Sequence, residues 1–164
     1  MASQGRSSTL RACIFDADGV LLASPHERAW REALEGFADP GRFTTALCQA
    51  VVAGEPRDSG ARAALVALGV PDAERRAAAY AERKQKRLEE LIEEGVEAFP
   101  DALRFAQAMA TLGLPMAGAS SSKNANDMMR PIRLASRQPL LDVFGANVCG
   151  RDLPRGKPDP AIFL

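Results

Sequence analysis

The residues best equipped for chemistry stand in one stretch, Ile14-Phe15-Asp16-Ala17-Asp18-Gly19-Val20-Leu21, where an apolar run ends in two carboxylates and a glycine. Side chains two apart in an extended chain point the same way, so Asp16 and Asp18 leave the end of a strand together. An isolated Asp-x-Asp triplet is most simply a solvated loop. This one follows Ala12, Cys13, Ile14 and Phe15 without a polar break, a pattern expected of a strand buried on both faces of a parallel sheet. Acids at the carboxyl end of such a strand lie in the crevice where open α/β sheets bind ligands. Neighbouring anions repel unless a cation or a shared proton offsets them, and a hard, oxygen-seeking ion such as Mg2+ meets that need. Two later stretches extend the set: Ser120-Ser121-Ser122-Lys123-Asn124 at a helix start, and Gly156-Lys157-Pro158-Asp159-Pro160 in a loop. Together they are the parts for handling a phosphoryl group. A carboxylate can act as nucleophile and a second acid can pass a proton to the leaving oxygen. Hydroxyl, amide and ammonium donors can hold the equatorial oxygens.

These groups need elements to carry them. The first strand is expected at about Leu10 to Asp16. Ser24-Pro25-His26-Glu27 reads as a helix start, with Ser24 as N-cap and Glu27 closing a capping box. Ala29, Trp30, Ala33, Leu34 and Phe37 follow at helical spacing. His26, the only histidine, is either a surface residue at that start or a group reaching the acidic crevice. Further helices are expected at about Thr44 to Val52, after a Gly54 to Asp58 turn at Gly60 to Leu68, and from an Asp72 N-cap to Gly95. The last buries Tyr80, Leu88, Leu91 and Ile92 and shows its charges to solvent. Ser24 to Glu97 therefore reads as a helical insert, residues 24-97, in an α/β pattern. That pattern occupies 1-23 and resumes over 98-164. It returns with a helix carrying Leu103, Ala106, Met109, Ala110 and Leu112, then a strand at Leu114 to Ala119. A helix at about Asn126 to Leu134 and a strand at Ala146 to Cys149 follow. Strands alternating with helices predict a Rossmann-like, doubly wound parallel sheet, all three polar motifs converging on one edge.

At 164 residues the chain suits one domain with a small insert. Lys plus Arg and Asp plus Glu number 21 each, which removes any bulk electrostatic reason to expect nucleic acid or a membrane surface. A small phosphorylated molecule is the expected partner. The three cysteines, Cys13, Cys48 and Cys149, are scattered and odd in number, as buried free thiols in a reducing compartment would be. No run approaches the roughly 20 apolar residues of a membrane span, and a cytoplasmic protein is expected.

Asp16-Ala17-Asp18-Gly19-Val20-Leu21, Ala119-Ser120-Ser121-Ser122 and Gly156-Lys157-Pro158-Asp159-Pro160 resemble motifs one to three of the haloacid dehalogenase superfamily of phosphatases and phosphomutases. The helical insert resembles that superfamily's cap. Within it the chain is similar to the β-phosphoglucomutases and neighbouring sugar-phosphate phosphatases. The resemblance implies Asp16 as a nucleophile that becomes an aspartyl phosphate and Asp18 as general acid/base. It implies Ser120 and Lys157 as holders of the transferring group. Mg2+ would bind the Asp16 carboxylate and the Asp18 backbone carbonyl. His26, Arg57 and Lys84 from the cap, with Ser122, Lys123 and Asn124, are implied as substrate contacts.

Members of the family continue into a fourth motif whose acids complete the Mg2+ site, and none of Asp142, Asp152 or Asp159 matches it. A fragment of a longer protein is the expected explanation. Without further strands the Leu10 to Asp16 strand becomes an edge, which opens a route to self-association. The competing reading is an impaired haloacid dehalogenase-fold chain acting as a binding or interaction module. Ala23 replaces an acid common in relatives, which loosens the substrate assignment.

Overall fold

The computed structural model describes residues 10–152, 155, 157 and 159–164. Contacts divide the chain into two compact units: Ser24–Val96, and the flanking segments through Ala23 and from Glu97 to Leu164. The flanking unit holds a mixed α/β fold around three parallel strands, β1 (Cys13–Phe15), β2 (Met116–Gly118) and β3 (Ala146–Asn147), in the order β1-β2-β3. Cys13 pairs with Met116 and Phe15 with Gly118, while Gly118 pairs with Asn147. The ladder continues beyond the strands. Ala119 N–H donates to the Phe15 carbonyl at 2.8 Å, Val148 N–H to Gly118 at 2.9 Å and Gly150 N–H to Ser120 at 2.9 Å. Parallel direction and shared register thus bring Asp16, Ser120 and Gly150 to the same end of the sheet.

The strands are shorter than the apolar runs that announce them, and β1 is covered on one face only. Phe15 is buried between Phe105 of α5 (Pro100–Thr111) and Phe144, each 5.9 Å away between ring centroids. Ile14 points oppositely and is 53% exposed, so the expected burial on both faces does not hold among the described residues. The periodicity was right for a strand but carried no information on how many layers flank it. α5 ends in a Schellman motif, with Gly113 N–H on Ala110 and Leu114 N–H on Met109. This turns Leu112 outward, 69% exposed, where helical spacing had placed it inside. α6 spans only Ala125–Met129, well short of Leu134, and the region after it is held by a 3-10 turn, Leu140–Val143. Of the cysteines only Cys149 is buried, Cys13 and Cys48 are half-buried, and all three are free thiols.

The chain leaves this unit and returns to it through an antiparallel stem. Leu22 bridges Ala98, Ala23 N–H donates to Glu97 and Phe99 N–H donates to Leu21, both at 2.9 Å.

The Ser24–Val96 unit is helical: α1 (His26–Glu32), α2 (Thr45–Val51), α3 (Arg57–Ala67) and α4 (Ala73–Glu94). Its core joins Trp30 and Leu34 to Phe43, Leu65 and Tyr80. Tyr80 is fully buried and its hydroxyl donates to the Trp30 carbonyl at 2.8 Å. The starts of the helices differ from expectation. Ser24 makes no capping bond and Pro25 occupies the N-cap of α1. Asp72 takes a left-handed φ of 56° and spends its carboxylate on Arg75 at 2.6 Å instead of on the α4 amides. Thr44 does cap α2, accepting from Leu47 N–H at 3.1 Å. The turn that ends α1 is tied by α4: Arg76 donates to the Gly36 carbonyl at 2.9 Å, Arg83 donates to Glu35, and both guanidiniums stack on Phe37 at 4.8 Å. No helix among the described residues is long and apolar enough to cross a membrane.

Replacing Tyr80 with Phe strands a buried carbonyl. The expected loss is about 1–3 kcal/mol of unfolding free energy, read from urea denaturation followed by far-UV circular dichroism.

Candidate active site

At the carboxyl end of the sheet the chain turns sharply after Phe15. Leu21 and Leu22 N–H both donate to the Ala17 carbonyl at 3.0 Å, and Gly19, at φ 74°, donates to Leu22 at 2.9 Å. This loop presents both carboxylates. Asp16 Oδ1 accepts from Ala17 N–H at 2.8 Å, and its Oδ2 lies 2.6 Å from the Lys157 ammonium. Lys157 also reaches the Ala119 carbonyl at 3.5 Å and sits 5.7 Å from the Phe163 ring. Ser120, 2% exposed, donates from Oγ to Asp18 Oδ2 at 3.2 Å and accepts from Ser122 N–H at 3.2 Å. Residues separated by about a hundred positions and more are therefore bonded at one strand end. Asp16, Asp18, Ser120 and Lys157 are brought together, as are Ser122, Lys123 and Asn124 on the loop leading to α6.

A second layer, invisible in the sequence, ties the loops after β2 and β3. Asn147 Nδ2 donates to Asn126 Oδ1 at 2.8 Å while its Oδ1 accepts Cys149 N–H at 2.9 Å. Lys123 donates to the Gly150 carbonyl at 3.0 Å and pairs with Asp152. Gly150 has φ 72°, and a Cβ there would stand 3.3 Å from Ser122 O and Lys123 Cα. Burial raises the Cys149 thiol pKa, the carboxylates of Asp16 and Asp18 adding to it. The sequence signal for this layer was no more than the position of these residues at or after the ends of β2 and β3.

The other candidates lie in the helical unit. Lys84, 3% exposed, places Nζ 2.9 Å from His26 Nδ1 and 4.9 Å from the Trp30 ring. The charged stretch of α4 thus has one buried cation, against the expectation of a solvated face. Arg57 is the first residue of α3 rather than part of a turn, with Nε 3.7 Å from Asp58. It borders a groove of about 670 Å³ lined also by Arg62, Ala77, Ala81, Gln85 and Glu89.

A carboxylate–hydroxyl–lysine constellation at the strand ends of a parallel sheet, with only its hydroxyl buried, is a feature of a whole class of enzymes, and the match to that class is direct. The chain belongs to the haloacid dehalogenase-like hydrolases, whose family model matches residues 10–164. Among individual relatives, β-phosphoglucomutase of Mycobacterium bovis is 30% identical over 98% of this chain and 69% of its own. A phosphorylated carbohydrates phosphatase of Thermotoga maritima is 29% identical over 94% of this chain and 68% of its own. The crystal structure of β-phosphoglucomutase from Pyrococcus sp. strain ST 04 superposes with a TM-score of 0.69 at 33% identity, covering 87% of this chain and 65% of that one. The chain thus spans 65 to 69% of the length of these relatives.

Ser120→Ala removes the donor to Asp18 and the acceptor for Ser122 N–H in a buried setting. It is expected to cost about 1–3 kcal/mol, seen as a lower thermal midpoint even without ligand.

Proposed function

We propose that the sheet end is a phosphoryl-transfer site working through an aspartyl phosphate on Asp16, with a small phosphorylated carbohydrate as substrate. The observation that carries this is the Lys157 ammonium 2.6 Å from the Asp16 carboxylate, beside Asp18 bonded to Ser120 at 3.2 Å. An Asp16 oxygen attacks phosphorus as the bond to the leaving oxygen breaks, and protonated Asp18 supplies the proton that oxygen needs. In the second half, Asp18 takes the proton of a sugar hydroxyl or a water, which attacks phosphorus and frees Asp16. Ser120 and Lys157 hold the equatorial oxygens, and Lys157 also lowers the repulsion between the incoming phosphate and Asp16.

The oxygen donors here suit Mg2+, which is commonly held by one or two carboxylates, waters and substrate phosphate. The Asp16 carboxylate and Asp18 backbone carbonyl would hold the ion, and no cluster of three or more metal-ligating side chains occurs among the described residues. When bound, it would supply charge neutralisation at the transferring group.

Relatives named as a mutase and as a carbohydrate phosphatase leave two fates for the phosphoryl group, sugar or water. Arg57 and Lys84, with His26 beside the latter, are the cap cations a second phosphate would use, which favours the mutase-like branch. Ser122, Lys123 and Asn124 would contact the substrate from the sheet side.

Fluorine NMR with beryllium fluoride tests the site without a chosen substrate. Bound signals that require Mg2+ and vanish in Asp16→Asn are expected; folded protein giving no bound signal would refute the proposal. With a substrate in hand, Asp18→Asn should lower kcat by about 10²–10⁴-fold, the range of general acid–base catalysis. Arg57→Ala should reduce use of a sugar bisphosphate by roughly tenfold or more, the scale of a lost charge-assisted hydrogen bond, while sparing a simple monophosphate ester. Equal losses on both would remove Arg57 from the distal phosphate.

A further inference from the structure

Lys123 is offered above as a substrate contact, yet its ammonium is already engaged. It donates to the Gly150 carbonyl at 3.0 Å and pairs with the carboxylate of Asp152. Both partners are accessible, Lys123 at 57% and Asp152 at 98% side-chain exposure. Such a pair contributes little to stability. Nor do the loops depend on it, because Gly150 N–H already donates to Ser120 at 2.9 Å and the Asn147–Asn126 bond at 2.8 Å ties the same two segments. Arg155, three positions on in the sequence, pairs with Asp159 at 2.6 Å, and Asp152 pairs with Lys123. The Gly150 carbonyl fixes where the ammonium sits, and Asp152 offsets its charge.

We propose that Asp152 is an affinity-setting residue: its carboxylate acts as counter-ion to Lys123 and weakens the hold of the sheet-end site on a phosphate dianion. An incoming phosphate meets a neutral pair instead of a bare cation, so binding is loosened and release is eased. This rests on the reading of Lys123 as a phosphate contact. Asp152 touches neither substrate nor the reacting atoms and acts through Lys123 alone.

The test is calorimetric titration of the full chain with inorganic phosphate at low ionic strength. The set comprises the parent, Asp152→Asn, Asp152→Glu, Lys123→Met and the Lys123→Met/Asp152→Asn double variant. Asp152→Asn should bind phosphate about two- to fivefold more tightly, the scale of an exposed ion pair. Asp152→Glu, which keeps the charge, should match the parent. The gain should shrink in 1 M salt, where the Debye length falls to roughly 3 Å. A purely structural role would not show that dependence. In the Lys123→Met background, itself weaker than the parent, the Asp152 substitution should have no effect. Unchanged or weaker binding by folded Asp152→Asn, alongside weakened Lys123→Met, would overturn this inference alone. Unchanged binding by Lys123→Met, or no phosphate binding by the parent, would overturn the reading beneath it as well.

Discussion

Two carboxylates at the end of one strand repel each other, and the site depends on how that repulsion is met. Asp16 is met by the Lys157 ammonium and by the amide of Ala17, while Asp18 is met by the buried hydroxyl of Ser120. None of these donors comes from a distant layer. Each stands just beyond β1 or β2 or on the loop that follows β3, so the parallel register of the strands also sets the charge balance. Under the proposed function the same ammonium that balances Asp16 would also face the phosphate, so one cation would serve both anions.

The helical unit handles polarity differently. It buries Tyr80 and Lys84 among apolar side chains, and each finds an acceptor, the Trp30 carbonyl and His26 Nδ1. The rim is laced with ion pairs, among them Arg87 with Glu32 at 2.5 Å and Arg28 with the same carboxylate at 2.7 Å. Burial opposes ionisation of Glu32, but the bonds from Arg28 and Arg87 outweigh it and lower its pKa. The end of α1 is closed locally by the Ala33, Leu34 and Glu35 amides, while Arg76 and Arg83 take up the Gly36 and Glu35 carbonyls of the turn beyond it from across space.

Elements with long periodicity or strong punctuation were legible. The stripe of Tyr80, Leu88 and Leu91 defines α4, and Gly69 and Gly113 end α3 and α5 through Schellman motifs. The α/β class and the family followed from ordered motifs after successive strands. Cap chemistry was less legible, because Ser24 and Asp72 have side chains that find other surroundings than the helix amides. The lateral ties between loops were not legible at all. Asn126 in α6, Asn147 at the end of β3 and Asp152 in the loop beyond it are ordinary polar residues until the fold sets them side by side, and tertiary proximity has no local signature.

Strands of three, three and two residues supply few ladder bonds of their own. What stiffens the working end of the sheet is instead the cross-bonding of its loops, with Gly150 pressed against Ser122 and Lys123. Those two loops therefore behave as one transplantable piece. Grafting the Ser120–Asn126 segment onto another scaffold without Asn147, Gly150 and Asp152 would carry the side chains across but leave behind what aims them.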